Sequence, residues 1–259
     1  MTYIESFSMN VPTDHFYDVE HKGVQLRFST PNTLTHWRAE SFSINEPETL
    51  EWIDQIPEGA VLWDVGANVG LFSVYAAKKG KCTVYAFEPS VFNLELLARN
   101  LFLNDIQEQV TIIPLALSEH LGSSLMHMTT TEWGGALSSF GKEFGWDGKT
   151  IQDVFAFKTF GLTMDQAVSL LNLPAPDFIK LDVDGIEHFI LKGGTTTLRG
   201  IKSILLEIND DFVQQAENSK RLLENAGLEL KYKKQSKLAE HTEFKHTFNQ
   251  IWKRADVYK

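Results

Sequence analysis

The segment 61–89 constrains the fold more than any other part of the 259-residue chain. It reads VLWDVGANVGLFSVYAAKKGKCTVYAFEP: an apolar run, a glycine turn, a helix-like stretch, and a second apolar run that ends at Glu88. This order is typical of half a nucleotide-binding parallel sheet. Gly66 and Gly70 allow a tight turn and close approach of a ligand. An acid at the tip of the second strand accepts hydrogen bonds from ribose hydroxyls. The segment predicts an adenosine-bearing ligand at the carboxyl ends of parallel strands.

The turn favours S-adenosylmethionine (SAM) over a dinucleotide. Dinucleotide folds hold a pyrophosphate, usually with G-x-G-x-x-G, whereas here Asp64 precedes Gly66-x-Asn68-x-Gly70. A carboxylate repels a pyrophosphate but suits an ammonium group. We predict that Asp64 faces the methionyl ammonium, directly or through water. The backbone around Gly66, Ala67, Asn68 and Gly70 would hold the methionyl part, and Glu88 the ribose. The alternative is a purely structural turn in another α/β protein.

Composition and charge exclude several classes of protein. The apolar content of 43% supports a substantial core, as one α/β domain with an N-terminal addition or as two small domains. The net charge of −10, from 24 basic and 34 acidic residues, disfavours a nucleic-acid partner. No apolar run approaches the ~20 residues that span a bilayer.

The N-terminus and the cysteine content predict a cytoplasmic protein. The opening MTYIESFSMNVPTDHF lacks the charged-then-apolar order of a secretory signal. The single cysteine, Cys82, excludes an intrachain disulfide and is expected to pack rather than react.

The chain divides into an N-terminal extension, residues 1–45, and a main domain, residues 46–259. An alternating stretch at 24–28 predicts a strand, so the extension is expected to contain β structure and to pack on or cover the main domain. Residues 115–160 lack periodicity, are rich in Gly, Ser and Thr, and carry Trp133 and Trp146. They predict a long irregular insertion that forms a lid or a substrate wall.

Regular patterns elsewhere predict alternating helices and strands. The predicted helices cover 46–55, 71–79, a stretch beginning at Ser90 or Asn93, 164–172, 185–192 and 211–226. The predicted strands cover 61–63, 83–87, 110–113, 178–183, 204–208, and a final antiparallel pair at 228–234 and 247–253.

With these motifs together, the chain resembles the FkbM-type SAM-dependent methyltransferases. The matching segments are DVGANVG at 64–70, FEP at 87–89, Asn100 with Asn104, ALSE at 116–119, TMD at 163–165, IKLDVDGIE at 179–187 and LE at 206–207. The resemblance covers about residues 50–210. It implies a Rossmann-like class I fold, with a seven-stranded, mostly parallel sheet and an antiparallel last strand. It also implies methyl transfer to an oxygen, commonly a hydroxyl of a sugar or a polyketide-like product. Asp184 stands where the family usually has Glu.

The predicted site residues follow from the loop and from these later motifs. The cofactor-binding set is Asp64, Gly66, Ala67, Asn68, Gly70, Glu88, Pro89, Asn93, Ser118 and Asp182. Ser118 and Asn93 have alternative roles as caps of the next turn or helix.

An acidic cluster follows the strand at 178–183 and supplies the catalytic candidates. Removing the proton of an alcohol requires a base within hydrogen-bond reach. Asp182 is the first candidate, followed by Glu187 and His188. Glu187 has an alternative role in stabilising the start of its helix.

A divalent metal is the competing use of these carboxylates. Asp182, Asp184 and Glu207 offer hard oxygen ligands to such an ion, although their spacing is not diagnostic, and we do not favour a metal.

The sequence thus predicts an O-methyltransferase whose acceptor is a hydroxyl of a glycan intermediate or a small natural product. The alternatives are a non-catalytic SAM-binding subunit of a modification complex and an NAD-dependent oxidoreductase. The identity of the acceptor and the oligomeric state stay open.

Overall fold

A computed structural model of the chain describes residues 15–235, 239 and 241–255. The strands in chain order are β1 (Phe16–His21), β2 (Val24–Ser29), β3 (Val61–Val65), β4 (Thr83–Phe87), β5 (Val110–Ile113), β6 (Ala116–Leu117), β7 (Gly122–Met128), β8 (Ser139–Phe140), β9 (Phe155–Leu162), β10 (Phe178–Leu181), β11 (Ser203–Asn209), β12 (Leu228–Lys234) and β13 (Thr247–Arg254). The helices are α1 (Thr33–Glu40), α2 (Phe42–Asn45), α3 (Pro47–Ile53), α4 (Leu71–Gly80), α5 (Val91–Asn104), α6 (Met164–Leu170), α7 (Glu187–Lys192) and α8 (Val213–Asn225), with a short 3-10 turn at Thr197–Arg199.

Seven strands form the central sheet in the order β12-β13-β11-β10-β3-β4-β5. The five strands from β11 to β5 run parallel, and the last strand, β13, is antiparallel to both β11 and β12. Strand β10 is buried along its whole length, as expected for a parallel strand with both faces covered. The predicted Rossmann-like class I fold is confirmed.

Alternating residues of the same strands build a separate core on each face of the sheet. Leu62 and Phe178 join the core that contains α3, α4 and α5. Their neighbours Trp63 and Ile179 join the core that contains α6, α7 and α8. This follows from the two-residue period of a strand, which sends successive side chains to opposite faces.

Helix α5 illustrates how local sequence sets the elements that surround the site. The Oγ of Ser90 accepts a hydrogen bond from the backbone N–H of Asn93, so the helix begins immediately after the FEP motif. Leu97 and Leu101, one turn apart, are buried against the sheet.

The described part of the N-terminal extension contains the predicted β structure, as a hairpin of β1 and β2, and continues into helices α1 and α2. Two asparagines of α5 fasten the hairpin to the main domain. Asn100 accepts from the backbone N–H of Ser29 at 2.7 Å, and Asn104 bonds to both the N–H and the C=O of Arg27. The part of the predicted extension at 1–14 lies outside the described residues.

The segment 115–160 is more regular than the sequence predicted. Strands β6, β7, β8 and β9 form a four-stranded sheet in the order β6-β9-β7-β8, and the stretches 118–121, 129–138 and 141–154 between them contain neither helix nor named strand. The predicted insertion thus contains strands that its local pattern did not indicate, because β7 and β9 are far apart in sequence. β7, which reads GSSLMHM, is a poor strand former by composition and is stabilised by pairing with β9.

Among the described residues, no helix combines the length and the apolar character needed to cross a bilayer.

Candidate active site

A cleft of about 1130 Å³, counting the part open to solvent, lies at the carboxyl ends of β3, β4, β5 and β10. This is where ligands bind in open parallel sheets. The structure brings together on its wall seven predicted site residues and one candidate metal ligand: Gly66, Ala67, Asn68, Glu88, Pro89, Asn93, Asp182 and Asp184.

The turn after β3 is fixed by its contacts with the two neighbouring strands. The backbone N–H groups of Gly66 and Ala67 both donate to the carbonyl of Phe87 at 3.0 Å. Gly66 has φ +82°, and a Cβ there would lie 1.8 Å from the carbonyl oxygen of Asp182. Only glycine permits this approach, so the turn is held between β4 and the end of β10.

Glu88 is a buried carboxylate whose hydrogen bonds leave room for a ligand. One oxygen accepts from the backbone N–H of Asn68 at 2.8 Å and the other from that of Ser90 at 2.7 Å. A carboxylate has about four acceptor positions, and these two backbone bonds use two of them. Burial raises the pKa of Glu88 to about 7. Hydroxyl donors would favour its charged form, and this chemistry fits the ribose of SAM.

Residues 133–138, which we call the covering loop, are fastened over the cleft by side chains from several elements. Asn68 and Asn93 donate to the carbonyl of Gly135 at 2.8 and 3.0 Å, and Asn93 also accepts from the N–H of Gly134 at 3.0 Å. Asn32 donates to the carbonyl of Trp133 at 3.0 Å, and Arg38 to that of Gly134 at 2.8 Å. Asn93 was predicted to bind the cofactor, whereas here both ends of its amide hold the covering loop.

The buried Lys180 and the half-buried Asp182 form an ion pair at the floor of the cleft. The ammonium lies 2.7 Å from a carboxylate oxygen of Asp182 and 5.1 Å from the ring centre of Phe72. Burial opposes the charge of Lys180, but the carboxylates of Asp182, Asp64 and Glu46 outweigh it and raise its pKa. Lys180 therefore remains a cation and orients Asp182.

Asp184 bridges the cleft floor and the covering loop. Its Oδ2 accepts from the backbone N–H groups of Leu137 at 2.7 Å and Ser138 at 3.3 Å. Burial, and then the charge of Asp182, raise the pKa of Asp184 to about 7.

Three of the predicted cofactor residues are not on the wall of this cleft. Asp64 is buried, its Oδ2 accepts from Ser73 Oγ at 2.5 Å, and its Oδ1 has no partner among the described residues. Asp64 thus does not line the cleft, and its contact with the methionyl ammonium, directly or through water, stays a prediction. Gly70 packs beneath Leu97 of α5, and Ser118 closes a turn with His120 at the edge of a second, shallower cleft.

Two predicted catalytic residues also lie off the wall. Glu187 accepts from the backbone N–H groups of Val183 and Gly185 and from Gln215, so it holds the turn after β10. His188 is buried against the rings of Phe189 and Phe212, and burial lowers its pKa to about 4. The helical turn directs these adjacent side chains away from the cleft.

The metal candidates are placed differently from one another. Asp182 and Asp184 line the cleft, whereas Glu207 lies behind them. Burial, together with the charges of Asp182 and Asp184, raises the pKa of Glu207. Within the described ranges, no group of three or more His, Cys, Asp or Glu residues is arranged to hold a metal ion.

Sequence reasoning missed the wall formed by the N-terminal extension and by Lys180. Arg38, Phe42, Asn45 and Glu46 all line the cleft. Nothing in the local pattern of α1 and α2 distinguishes them from ordinary surface residues. Lys180 did leave a signal, because a lysine within a buried apolar strand needs a partner.

Similarity to known proteins agrees with this geometry. Residues 64–248 match the methyltransferase FkbM domain. The chain is 26% identical over 190 residues, 73% of each protein, to the hexuronic acid methyltransferase AglP of Haloferax volcanii. It is 38% identical over 72 residues, 27% of this chain and 28% of the relative, to the methyltransferase sdnD of Sordaria araneosa. The structure of wild-type Trm5b from Pyrococcus abyssi shares the fold, with a TM-score of 0.50 and 14% identity over 92% of this chain and 55% of that one.

Proposed function

The chain belongs to the FkbM family of SAM-dependent methyltransferases, and from this premise we propose that it methylates a hydroxyl of a sugar, a glycan intermediate or a small natural product. The observation that carries the proposal is the shared cleft. It joins the buried carboxylate of Glu88, at the end of β4, to a second group of carboxylates at the end of β10.

The cofactor end of the cleft is formed by the turn after β3 and the end of β4. Glu88 would bind the ribose, and the backbone of Gly66 to Asn68 would border the methionyl part. The apolar residues Leu115 and Leu117, after β5, form the wall on the far side of Glu88 and suit the adenine ring. When bound, SAM supplies an electrophilic methyl group.

The acceptor end is formed by the N-terminal extension and the covering loop. Arg38, Asn45 and Glu46 provide polar groups there, and Phe42 and Phe72 provide rings. A sugar presents hydroxyls at its edge and an apolar face to aromatic side chains. A relative is named for a hexuronic acid, and this favours a sugar or sugar acid as the acceptor.

The residues of the cleft align the acceptor and exclude water. Lys180 fixes Asp182 through their ion pair, so that Asp182 can accept a hydrogen bond from the acceptor. The covering loop closes the cleft from above, which strengthens the electrostatic interactions inside it. The acceptor hydroxyl must also lose a proton, and the wall offers Glu46, Asp182 and Asp184 as carboxylate bases.

Two measurements test the proposed function. Isothermal titration should show micromolar binding of SAM and of S-adenosylhomocysteine, and no binding of NAD. Transfer of a radiolabelled methyl group should then be followed to a methyl hexuronide and to the matching uncharged methyl hexoside. Binding with transfer to either sugar supports the proposal. A protein that binds NAD and neither sulfur compound would overturn it.

A further inference from the structure

We propose that Asp184 is the general base of the reaction and that the same carboxylate fastens the covering loop. This inference rests on the proposed function and names the residue that completes its chemistry.

The two oxygens of Asp184 have different environments. Oδ2 accepts both covering-loop amides, from Leu137 and Ser138. Oδ1 accepts a hydrogen bond from none of the described residues, and the side chain lines the cleft. One oxygen is therefore anchored, and the other is free to meet the acceptor hydroxyl.

The backbone at Asp184 is held in the left-handed region, with φ +61°. This region costs energy for residues other than glycine, although less for aspartate than for most. Glu187 holds this turn from one side through the N–H groups of Val183 and Gly185. Gly185 packs from the other side so closely that a Cβ would lie 2.5 Å from the carbonyl oxygen of Gly145. Strain maintained by such surroundings is concentrated at functional sites.

The other two carboxylates offered above as bases, Asp182 and Glu46, are less free. One oxygen of Asp182 lies 2.7 Å from the Lys180 ammonium, which competes for the lone pairs that a proton would occupy. Glu46 accepts from Thr49 Oγ1 at 2.9 Å and reaches the cleft from the start of α3 rather than from the end of β10.

Charged groups from four elements act on Asp184. Burial and the neighbouring Asp182 raise its pKa to about 7, and Arg38 of α1 opposes them. Glu88, after β4, and Glu207, on β11, are also close enough to interact with it. A base with a pKa near the working pH combines the deprotonated form with adequate basicity.

The step balances in atoms and electrons. The acceptor oxygen forms a bond to the methyl carbon while that carbon's bond to sulfur breaks, and the electron pair of the broken bond stays on sulfur. The hydroxyl proton passes to Oδ1 of Asp184. The products are the methyl ether, S-adenosylhomocysteine and the protonated carboxyl, which later releases its proton to solvent.

The decisive variant is Asp184→Asn, because an amide oxygen can still accept from Leu137 and Ser138 but the side chain can no longer take a proton. We expect kcat with the methyl hexuronide or hexoside to fall about 100- to 10,000-fold. The Kd for SAM should stay within about threefold of wild type, since the covering loop keeps its anchor. Amide hydrogen exchange at 137 and 138 should be unchanged, whereas Asp184→Ala should accelerate it.

Matched variants distinguish the loss of a proton acceptor at Asp184 from an effect of replacing an aspartate in a left-handed backbone. Asp105 is an exposed aspartate that also has a left-handed backbone, with φ +55°, so Asp105→Asn should leave all these quantities unchanged. Asp184→Glu, the residue usual in the family, should restore part of kcat. If Glu46→Gln abolishes turnover while Asp184→Asn does not, the base is Glu46 and the proposal is wrong.

The pH dependence provides a readout that does not require a good acceptor. Carboxyl ¹³C NMR of the aspartate-labelled protein, assigned with Asp184→Asn, should show the Asp184 carboxyl titrating near pH 7. Where turnover is measurable, kcat should rise through the same pH and then level off, and Asp184→Asn should remove that rise. A carboxyl that titrates below pH 5 would overturn the proposal even if the protein binds SAM.

Discussion

At the scale of single residues, the site depends on buried polar groups that keep part of their hydrogen-bonding capacity for a ligand. Glu88 shows this most directly, because each oxygen accepts one backbone N–H and faces the cleft. A buried carboxylate held in this way is costly without a ligand, and its raised pKa reflects that cost.

Glu88→Ala should weaken SAM binding, because two hydrogen bonds to a charged acceptor are lost. The Kd from isothermal titration should rise about 10- to 100-fold, as expected for bonds to a charged group. Glu95→Ala is the control, since Glu95 is an exposed glutamate of the neighbouring helix that pairs with Arg99. An unchanged Kd for Glu88→Ala would count against the assignment of the ribose site.

At the scale of elements, the cleft exists because turns from different strands interlock. The glycine turn after β3 meets the carbonyl of Asp182, and the covering loop is fastened by α1, α5 and the turn after β10. The boundaries of the contributing strands were predicted from sequence to within two residues, since 61–63 falls short of β3 and 178–183 extends beyond β10. The predicted strands at 83–87 and 110–113 coincide with β4 and β5.

Gly66→Ala should destabilise the fold more than the same change at Gly59. Both glycines have φ near +80°, so alanine is strained at each, by about 1 kcal/mol. A Cβ added at Gly59 would have no atom within 4 Å, whereas one added at Gly66 would lie 1.8 Å from the carbonyl oxygen of Asp182, which follows β10. Urea denaturation should show Gly66→Ala to be about 2 kcal/mol less stable than Gly59→Ala. Equal losses would mean that the turn can shift away from Asp182.

Asn93→Ala should loosen the covering loop. The change removes the acceptor for Gly134 N–H and one of the two side-chain donors to Gly135. Amide exchange at Gly134 should become about tenfold faster, as expected for one lost hydrogen bond. The control is Asn218→Ala, which removes a partly exposed asparagine whose hydrogen bonds, to Gln214 and Arg221, stay within α8. Unaltered exchange at Gly134 would show that the loop is held by its other contacts.

At the scale of the whole molecule, several carboxyls are buried around one cleft. Burial raises the pKa of Glu88, Asp184 and Glu187 to about 7 in each case. In the unfolded chain such groups titrate near their ordinary values, about 4. Because these pKa values differ between the folded and unfolded chain, the free energy of unfolding depends on pH.

The ligand-free protein should lose stability as the pH rises from about 5 to 8. In this window the unfolded chain releases protons that the folded chain retains, so the free energy of unfolding falls with pH. The contribution is complete below about pH 4 and is lost above about pH 7. Surface carboxyls with a lowered pKa, such as Asp18 beside Arg27, titrate below this window. His188, whose pKa burial lowers to about 4, acts in the opposite direction below about pH 6.5, but it is one group against three. Calorimetry should show a falling Tm, with a shallower slope for Asp184→Asn; a Tm that rises with pH would contradict this.

The sequence by itself determined the strands, helices and glycine turn of the central sheet, and the acid at the end of β4. These features follow from short-range rules: the two- and 3.6-residue periods, the freedom of glycine, and Ser90 as a helix cap. The order of the motifs along the chain was enough to indicate the family and the position of the cleft.

Only the tertiary structure decided which side chains reach the cleft. The side chains of Glu187 and His188 do not line the cleft, and Asp64 is hydrogen-bonded to Ser73. Arg38 and the covering loop line the cleft together with the end of β10. The physical reason is distance along the chain. Arg38 and Gly134 meet across 96 residues, and such a contact is set by the packing of distant elements, which no local pattern records.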